Sequence, residues 1–203
     1  MDLFDRLEEA RKHWNVLDHP FYTRWEKGEL SPEELGYYAG QYRHAVVALA
    51  ATARQAADAD PTVRDHADDE EAHIELWDDF ARAAGAAPAS APRAETRRCA
   101  ESWTAGSDGL EALAILYAVE SGQPAISSTK LTGLVEHYGY SPDGPATAYF
   151  RLHAELDHAH ADEARRLIES RARPEDEERL LEAANGALAG NWKLLDGVES
   201  ALT

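Results

Sequence analysis

Residues 153–160 read HAELDHAH, which places three histidines and one aspartate within eight residues. On an α-helix, where successive residues turn by about 100°, His153, Asp157 and His160 fall on one narrow stripe. His158 lies about 140° away and is expected to be exposed or hydrogen-bonded. Two imidazoles and a carboxylate on one stripe form a ligand set for a divalent first-row metal ion. A solvated polar face gives the same pattern, so the metal hypothesis depends on what lies opposite.

A second cluster lies in DHADDEEAHIELW, residues 65–77. Glu70 and His73 have the Glu-x-x-His spacing that lets both side chains converge on one ion in dinuclear iron bundle proteins. Trp77 marks this side of the helix as core-facing, which draws His73 inward. His66 shares the face, seven residues before His73. Acidic runs usually face water, so a solvated surface is the alternative.

A third candidate is Glu120, in LAILYAVESGQP at residues 113–124. It continues an apolar stripe, where a buried carboxylate is costly unless it is paired or metal-bound. Lys130 is the structural alternative as a partner, offset from Glu120 by about 80° on one continuous helix. Three helices thus supply three carboxylates and three histidines, which suit two iron ions with positions open for dioxygen and substrate. The predicted metal ligands are Glu70, His73, Glu120, His153, Asp157 and His160.

Composition restricts the class of protein. The chain of 203 residues carries 20 Lys and Arg against 38 Asp and Glu, a net charge of −18. This balance argues against nucleic acid or an anionic membrane as the main partner, because both are densely negative. The single cysteine, Cys99, excludes an intrachain disulfide and fits a reducing compartment. The sequence shows no signal-peptide h-region and no apolar run of about 18 residues, so we expect a soluble, cytoplasmic protein.

Helix-forming residues dominate, and no segment alternates at period two for long enough to predict a strand. Ser31 with Glu34 forms a capping box, Ser107 or Asp108 caps the helix before Glu120, and Pro174 starts the last helix. We predict one all-α domain over residues 1–203 with a loop at 86–93. The predicted helices span about 2–14, 18–28, 32–56, 61–84, 92–104, 109–137, 144–171 and 175–200.

Four stretches resemble the TenA/PqqC-like superfamily with the heme-oxygenase-like fold. They are HPFYTRWEKGELSPEELGYYAGQY (19–42), HIELW (73–77), YAVESGQPAISSTKLTGLVEHYG (117–139) and HAELDHAH (153–160). The resemblance covers nearly the whole chain and is closest to the dinuclear iron branch, which includes the CADD proteins (Chlamydia protein associating with death domains). It implies a single-domain helical bundle, two iron ions per chain or a Mn/Fe pair, and the six ligands named above. We also expect a homodimer.

The resemblance leaves one ligand open. Many members of the branch separate the first acidic ligand and the histidine by six residues, and that spacing reaches His66 here. Other members use Glu-x-x-His, which favours Glu70.

Thiaminases of the superfamily use a cysteine just before the position of Glu120, where this chain has none. Cys99 lies in another helix and is predicted to be an inert buried thiol.

CADD-like proteins make p-aminobenzoate for folate biosynthesis by sacrificing one of their own tyrosines, with a lysine as nitrogen donor. Lys130 matches the spacing of that lysine from the glutamate. Val119 stands where those proteins have a tyrosine beside the glutamate, and Tyr22 or Tyr42 replaces the sacrificed tyrosine only loosely. Lys130, Tyr22 and Tyr42 are therefore the candidate catalytic residues. We also expect Lys130 to line the pocket beside the irons and to meet a substrate carboxylate.

The sequence thus favours a dinuclear nonheme iron oxidase or oxygenase that uses dioxygen to oxidise a small metabolite such as an amine or amino acid. One alternative is CADD-like self-sacrificing p-aminobenzoate synthesis. A non-enzymatic alternative is a metal-free ligand-binding or regulatory TenA-like protein, because a fold does not fix a function.

Overall fold

The computed structural model describes residues 1–87 and 90–202, and the predicted loop at 86–93 therefore lies partly outside the described residues. Within these ranges the chain is all-α and has no strand, as predicted. Short 3-10 segments precede α2, α4 and α9. The α-helices are α1 (Leu3–His13), α2 (Pro20–Glu26), α3 (Pro32–Ala59), α4 (Arg64–Ala83), α5 (Ala94–Trp103), α6 (Gly109–Glu120), α7 (Gln123–Glu136), α8 (Pro145–Arg171) and α9 (Glu177–Leu202).

Side-chain caps set the predicted helix starts. Ser31 and Glu34 form the capping box of α3, with each side chain accepting a hydrogen bond from the other residue's backbone N–H. Of the two predicted caps for α6, Asp108 is the one observed, because its Oδ1 accepts from Glu111 N at 3.0 Å. Pro174 starts a 3-10 segment, and α9 follows from Glu177.

The predicted single helix over 109–137 is wrong, because the structure divides it into α6 and α7. Pro124 provides the physical reason, since it has no N–H to donate to residue 120 and its ring clashes with that carbonyl. Ser121 and Gly122 form the junction. Glu120 is consequently the last residue of α6, and Lys130 belongs to a different helix. The predicted angular offset between these two side chains on one helix does not apply.

An aromatic core holds the three helices that carry the candidate ligands. Trp77 on α4 and Phe150 on α8 are fully buried and pack at 5.8 Å between ring centroids. α8 contacts α4, α6 and α7, so it forms the common surface on which the candidate side chains meet. Cys99 is a free thiol, fully buried in α5, as predicted. No helix in the described ranges has the length and apolar character needed to cross a membrane.

Candidate metal centre

Two helices that run antiparallel carry the same spacing of potential metal donors. Each presents histidine, acid and histidine at i, i+4 and i+7, a spacing that keeps all three on one face: His66, Glu70 and His73 on α4, and His153, Asp157 and His160 on α8. The rings of His66 and His160 stack with centroids 3.8 Å apart. The rings of His73 and His153 meet edge to face at 4.7 Å. The first histidine of each helix therefore faces the last histidine of the other.

Together with Glu120 from the end of α6, five of these six side chains, all except Asp157, form two overlapping groups of donor atoms. Within each group all the donor atoms lie within 4.8 Å of one another. Glu70 belongs to both groups, and a carboxylate shared in this way is suited to bridging two metal ions. The groups are His66, Glu70, Glu120 and His160, and Glu70, His73 and His153.

Two imidazole–carboxylate contacts organise the α4 side of the cluster. His66 Nε2 lies 2.8 Å from Glu120 Oε1, and His73 Nδ1 lies 3.0 Å from Glu70 Oε1. Burial raises the pKa of Glu120. Burial lowers the pKa of His66, but the adjacent Glu120 outweighs burial and leaves the pKa of His66 raised. Both shifts favour the protonated forms, so this pair retains a proton that a metal ion would displace.

A backbone contact fixes the tautomer of His153. Its Nδ1 lies 2.8 Å from the carbonyl oxygen of Tyr149, which can only accept, so Nδ1 carries the hydrogen. The imidazole also stacks on the Tyr149 ring at 3.9 Å. Nε2 therefore presents its lone pair to the cluster, 3.9 Å from Glu70 Oε1. Metal-ligating histidines are usually oriented by a hydrogen bond of this kind from the other ring nitrogen.

Burial keeps three further donors uncharged at neutral pH. It raises the pKa of Asp157 to about 10, with a smaller contribution from the charges of Glu120 and Glu70. It lowers the pKa of His153 and of His160 to about 4. Neutral imidazoles are the metal-binding form of histidine, whereas Asp157 must lose its proton to act as an anionic ligand.

The cluster leaves an unusual number of buried polar atoms unsatisfied. Six of the ten buried side-chain N and O atoms without a hydrogen-bond partner in the described residues belong to it: Glu70 Oε2, Glu120 Oε2, His153 Nε2, Asp157 Oδ1, Asp157 Oδ2 and His160 Nδ1. Each such atom costs about 1–3 kcal/mol if nothing binds it. Carboxylate oxygens and imidazole nitrogens are ligands that iron accepts. The donor set therefore fits iron.

Lys130 lies in an aromatic cage near this cluster. Its side chain is 2% exposed, and Nζ donates to Tyr38 Oη at 2.8 Å. Nζ also lies 4.6 Å from the ring centroid of Tyr22, 4.7 Å from that of Tyr42 and 5.8 Å from that of Phe150. No acidic side chain among the described residues forms a salt bridge with it, and burial lowers its pKa well below the ordinary value. Burial therefore favours the neutral amine over the ammonium ion.

A hydroxyl chain connects this amine to a second candidate residue. Tyr38 Oη, which accepts from Lys130, also lies 2.7 Å from Tyr22 Oη. Tyr42 points its hydroxyl elsewhere, toward Gln123 Nε2 at 3.5 Å. The amine and the phenol of Tyr22 are therefore held on one shared partner, whereas Tyr42 contributes only its ring to the cage.

The family described as iron-containing redox enzymes matches residues 65–192, which include every residue of the two donor groups. The chain belongs to this family. Among its relatives, a 4-aminobenzoate synthase of Chlamydia muridarum is 32% identical over 213 residues, covering 97% of this chain and 89% of the relative. A 4-aminobenzoate synthase of Nitrosomonas europaea is 31% identical over 211 residues, covering 91% and 85%.

Solved structures support the fold of this iron-containing redox enzyme. A domain of unknown function from Shewanella denitrificans, with a heme oxygenase-like fold, superposes with a TM-score of 0.83 at 15% identity, covering 100% of this chain and 94% of that one. A CADD-like protein of unknown function from Nostoc punctiforme gives 0.77 at 14% identity, covering 98% and 96%. The predicted heme-oxygenase-like fold and the resemblance to the CADD-like branch are thus confirmed.

The structure brings five of the six predicted metal ligands into the two donor groups and adds His66. The sixth, Asp157, lies beside them, with its Oδ1 3.9 Å from His160 Nδ1. Sequence analysis preferred Glu70 to His66, but the choice was unnecessary because both side chains lie there. The repeated His-x3-acid-x2-His spacing was the signal that could have included His66. His158 is exposed, as predicted from its angular position on the helix.

Proposed function

We propose that this iron-containing redox enzyme uses dioxygen and a dinuclear iron centre to form 4-aminobenzoate from its own side chains. The observation that carries the proposal is the cage in which the neutral amine of Lys130 lies 4.6 Å from the ring centroid of Tyr22. The names of relatives about 30% identical to this chain support the same product. We also propose the cytoplasmic homodimer expected from the sequence.

In this proposal the metal ligands are the seven clustered side chains: His66, Glu70, His73, Glu120, His153, Asp157 and His160. They would hold two iron ions, or one manganese and one iron. Iron bound there would supply the reduction of dioxygen that an oxidation requires. The protein places the donors, keeps His153 in the ligating tautomer and excludes bulk water, since each of these side chains is at most 7% exposed.

Tyr22 and Lys130 together contain the atoms that the product needs. The ring and Cβ of a tyrosine have the carbon skeleton of 4-aminobenzoate, and a lysine amine supplies the nitrogen that replaces the phenol oxygen. Release breaks the Cα–Cβ bond of Tyr22 and the Cε–Nζ bond of Lys130. Cα takes a hydrogen, Cβ becomes the carboxylate and Cε takes a hydroxyl group, so the oxygen atoms of one dioxygen molecule and of the displaced phenol hydroxyl end in these two groups. Dioxygen is the oxidant for the net oxidation of Cβ. Burial lowers the pKa of Lys130 and so favours the amine form, whose lone pair can attack the ring.

Tyr38 is assigned a positioning role. Its hydroxyl lies between Lys130 Nζ and Tyr22 Oη at 2.8 and 2.7 Å, so it can hold both groups and relay a proton between them. Full burial of Tyr22 and Tyr38 raises the pKa of both phenols and keeps them protonated at neutral pH. Among the described residues, the hydrogen-bonded chain thus contains one amine and two phenol hydroxyls, and no carboxylate forms a salt bridge with the amine.

One observation favours a second candidate function. Val119, and not a tyrosine, precedes Glu120, which departs from the pattern expected of CADD-like proteins. The same metal centre would then oxidise a separate small amine or amino acid, with Lys130 binding an anionic substrate. The two candidates differ in whether 4-aminobenzoate forms when no substrate is added.

The test is to load metal-free protein with Fe(II), or with Mn(II) and Fe(II), without oxygen and then to admit air. We expect 4-aminobenzoate by mass spectrometry and an intact protein mass lowered by loss of the tyrosyl side chain, with the Lys130 amine replaced by a hydroxyl group. Lys130→Arg and Tyr22→Phe should each abolish the product. Tyr42→Phe should retain it, because the Tyr42 hydroxyl lies outside the chain that joins Lys130 to Tyr22.

Matched controls separate chemistry from general damage. Lys193→Arg alters an exposed lysine and Tyr140→Phe a half-buried tyrosine outside the cage, and both should leave product unchanged. Wild-type protein that consumes oxygen but releases no 4-aminobenzoate would reject self-sacrifice in favour of the second candidate. Product from Tyr22→Phe but not from Tyr42→Phe would show that Tyr42 is the source.

A further inference from the structure

A separate cavity of about 440 Å³ opens between α1, the α6–α7 junction and α9. This volume is within the range that holds small organic ligands. Val119, Ile126 and Leu188 give the cavity apolar walls. Asn191 lines it as well, and Arg11 and Lys12 lie along it at the end of α1. It therefore combines an apolar body with polar groups contributed by different elements.

Asn191 supplies an unsatisfied acceptor within this cavity. The residue is 6% exposed, and its Oδ1 has no hydrogen-bond partner in the described residues. Its side chain lies close enough to the hydroxyl of Tyr42 to lower the pKa of that phenol, against the larger rise that burial causes. A buried amide oxygen without a donor is costly, so the site is suited to a ligand bearing an N–H or O–H group.

The charges along the cavity favour a ligand with one negative charge. Arg11 is held by two hydrogen bonds to Glu8, at 2.8 and 2.6 Å, whereas Lys12 Nζ is 3.9 Å from that carboxylate and its side chain is 66% exposed. Lys12 is thus more available than Arg11 to bind a negatively charged ligand. Asp18 also lines the cavity, and its carboxylate accepts from Asn15 Nδ2 at 2.9 Å. An acidic group nearby disfavours a dianion.

Tyr42 connects this cavity to the site described above. Its ring lies 4.7 Å from Lys130 Nζ, while its hydroxyl accepts from Gln123 and lies near Asn191. Tyr42 thus adjoins both the Lys130 cage and Asn191, which lines the cavity. Val119, which lines the cavity, also directly precedes Glu120 on α6.

We propose that this cavity binds amino-substituted aromatic carboxylates, with the amino group donating to Asn191 Oδ1 and the carboxylate directed to Lys12. The apolar walls contact the ring. Resting on the proposed function, the inference further assigns the cavity to holding and releasing the 4-aminobenzoate formed beside Lys130.

Binding to metal-free wild-type protein tests the inference without turnover. The probes are 4-aminobenzoate, benzoate without the donor, and aniline without the acid, followed by calorimetry and by the fluorescence of Trp14, which lines the cavity. We expect 4-aminobenzoate to bind about tenfold more tightly than benzoate, the effect of one hydrogen bond to a buried acceptor. Asn191→Leu should remove that preference.

Lys12→Ala, a change at an exposed residue that does not endanger folding, should weaken 4-aminobenzoate binding several-fold and leave aniline binding unchanged. Lys193→Ala is the charge-matched control and should alter neither. Equal affinity for 4-aminobenzoate and benzoate, or a preference that survives Asn191→Leu, would overturn the proposal. Protein that makes 4-aminobenzoate but does not bind it would reject this cavity and leave the proposed function standing; binding without synthesis would do the reverse.

Discussion

Lys130 and Asp157 are buried ionisable side chains whose pKa values shift in opposite directions for the same reason. Burial disfavours the charged form of each, which lowers the pKa of the lysine well below its ordinary value and raises that of the aspartate to about 10. Asp157 lies among donors that suit a metal ion, whereas Lys130 is surrounded by phenols. Asp157 must lose its proton to bind a metal ion as a carboxylate, whereas the shift at Lys130 favours the unprotonated amine that the proposed function requires.

The neutral amine predicts a specific pH dependence of stability. Below the ordinary lysine pKa of 10.5 the unfolded chain binds a proton that the folded chain does not, so the contribution of Lys130 is lost as pH falls. The free energy of unfolding of Lys130→Met should therefore rise relative to that of the wild type. The expected rise is about 1.4 kcal/mol for each unit by which the pH falls from 10 toward the pKa of the folded amine. Urea unfolding of both metal-free proteins at several pH values measures this difference, and parallel pH profiles would mean that the folded amine is charged.

His66 provides a test of the metal cluster at single-residue resolution. Its ring stacks on His160 and its Nε2 contacts Glu120, so His66→Ala removes one donor from one of the two groups. We expect metal analysis after equilibration with Mn(II) to fall from about two ions per chain to about one. His158→Ala changes an exposed histidine of the same neighbourhood and should have no effect. Unchanged occupancy in His66→Ala would remove this residue from the ligand set.

Packing between helices positions the candidate functional groups, as the contacts around Lys130 illustrate. The indole of Trp25 on α2 donates to the backbone oxygen of Lys130 on α7 at 3.1 Å. Gly133, less than one turn further along α7, lets that indole approach, since a Cβ there would lie 2.7 Å from Trp25 Cδ1. The position of the amine therefore depends on a small residue that has no part in the chemistry.

This contact yields a stability prediction with an internal control. Gly133→Ala should destabilise the protein by about 1–3 kcal/mol, because the rigid indole and its backbone must shift. Gly186→Ala in α9 meets nothing within 4 Å and should stabilise by about 0.5–1 kcal/mol, because it removes glycine from a helix interior. Urea unfolding monitored by circular dichroism distinguishes them. Equal effects of the two substitutions would contradict the packing argument.

Across the whole molecule, the metal centre joins α4, α6 and α8, whose donors meet only in the folded chain. Added Mn(II) should therefore raise the unfolding midpoint, by an amount equivalent to about 2.7 kcal/mol when free metal is a hundredfold above its Kd. A double variant, His153→Ala with Asp157→Ala, should lose the second ion and much of this stabilisation. Differential scanning calorimetry with and without a chelator measures it. Full occupancy in the double variant would reject the assignment of those two ligands.

Local sequence signals predicted much of this fold. The capping box at Ser31 is a short-range signal, and Gly85 and Gly139, which follow the ends of α4 and α7, adopt positive φ. Gly122 and Pro124 are a short-range stop signal as well, but the predicted helix over 109–137 was drawn through them. The cage of Lys130 could not be derived from spacing, since its tyrosines come from α2 and α3 and meet α7 only through tertiary packing.

The distribution of donors along the chain also sets when iron can be captured during protein synthesis. Each donor group draws on α4 and on α8, so a growing chain that has not yet reached residue 153 lacks at least one donor from both groups. Ribosomal synthesis proceeds from the N-terminus, and domains generally fold as units. Under the proposed function, complete capture of iron is therefore one of the last events in maturation, and a nascent chain is spared oxygen chemistry until its core can enclose it.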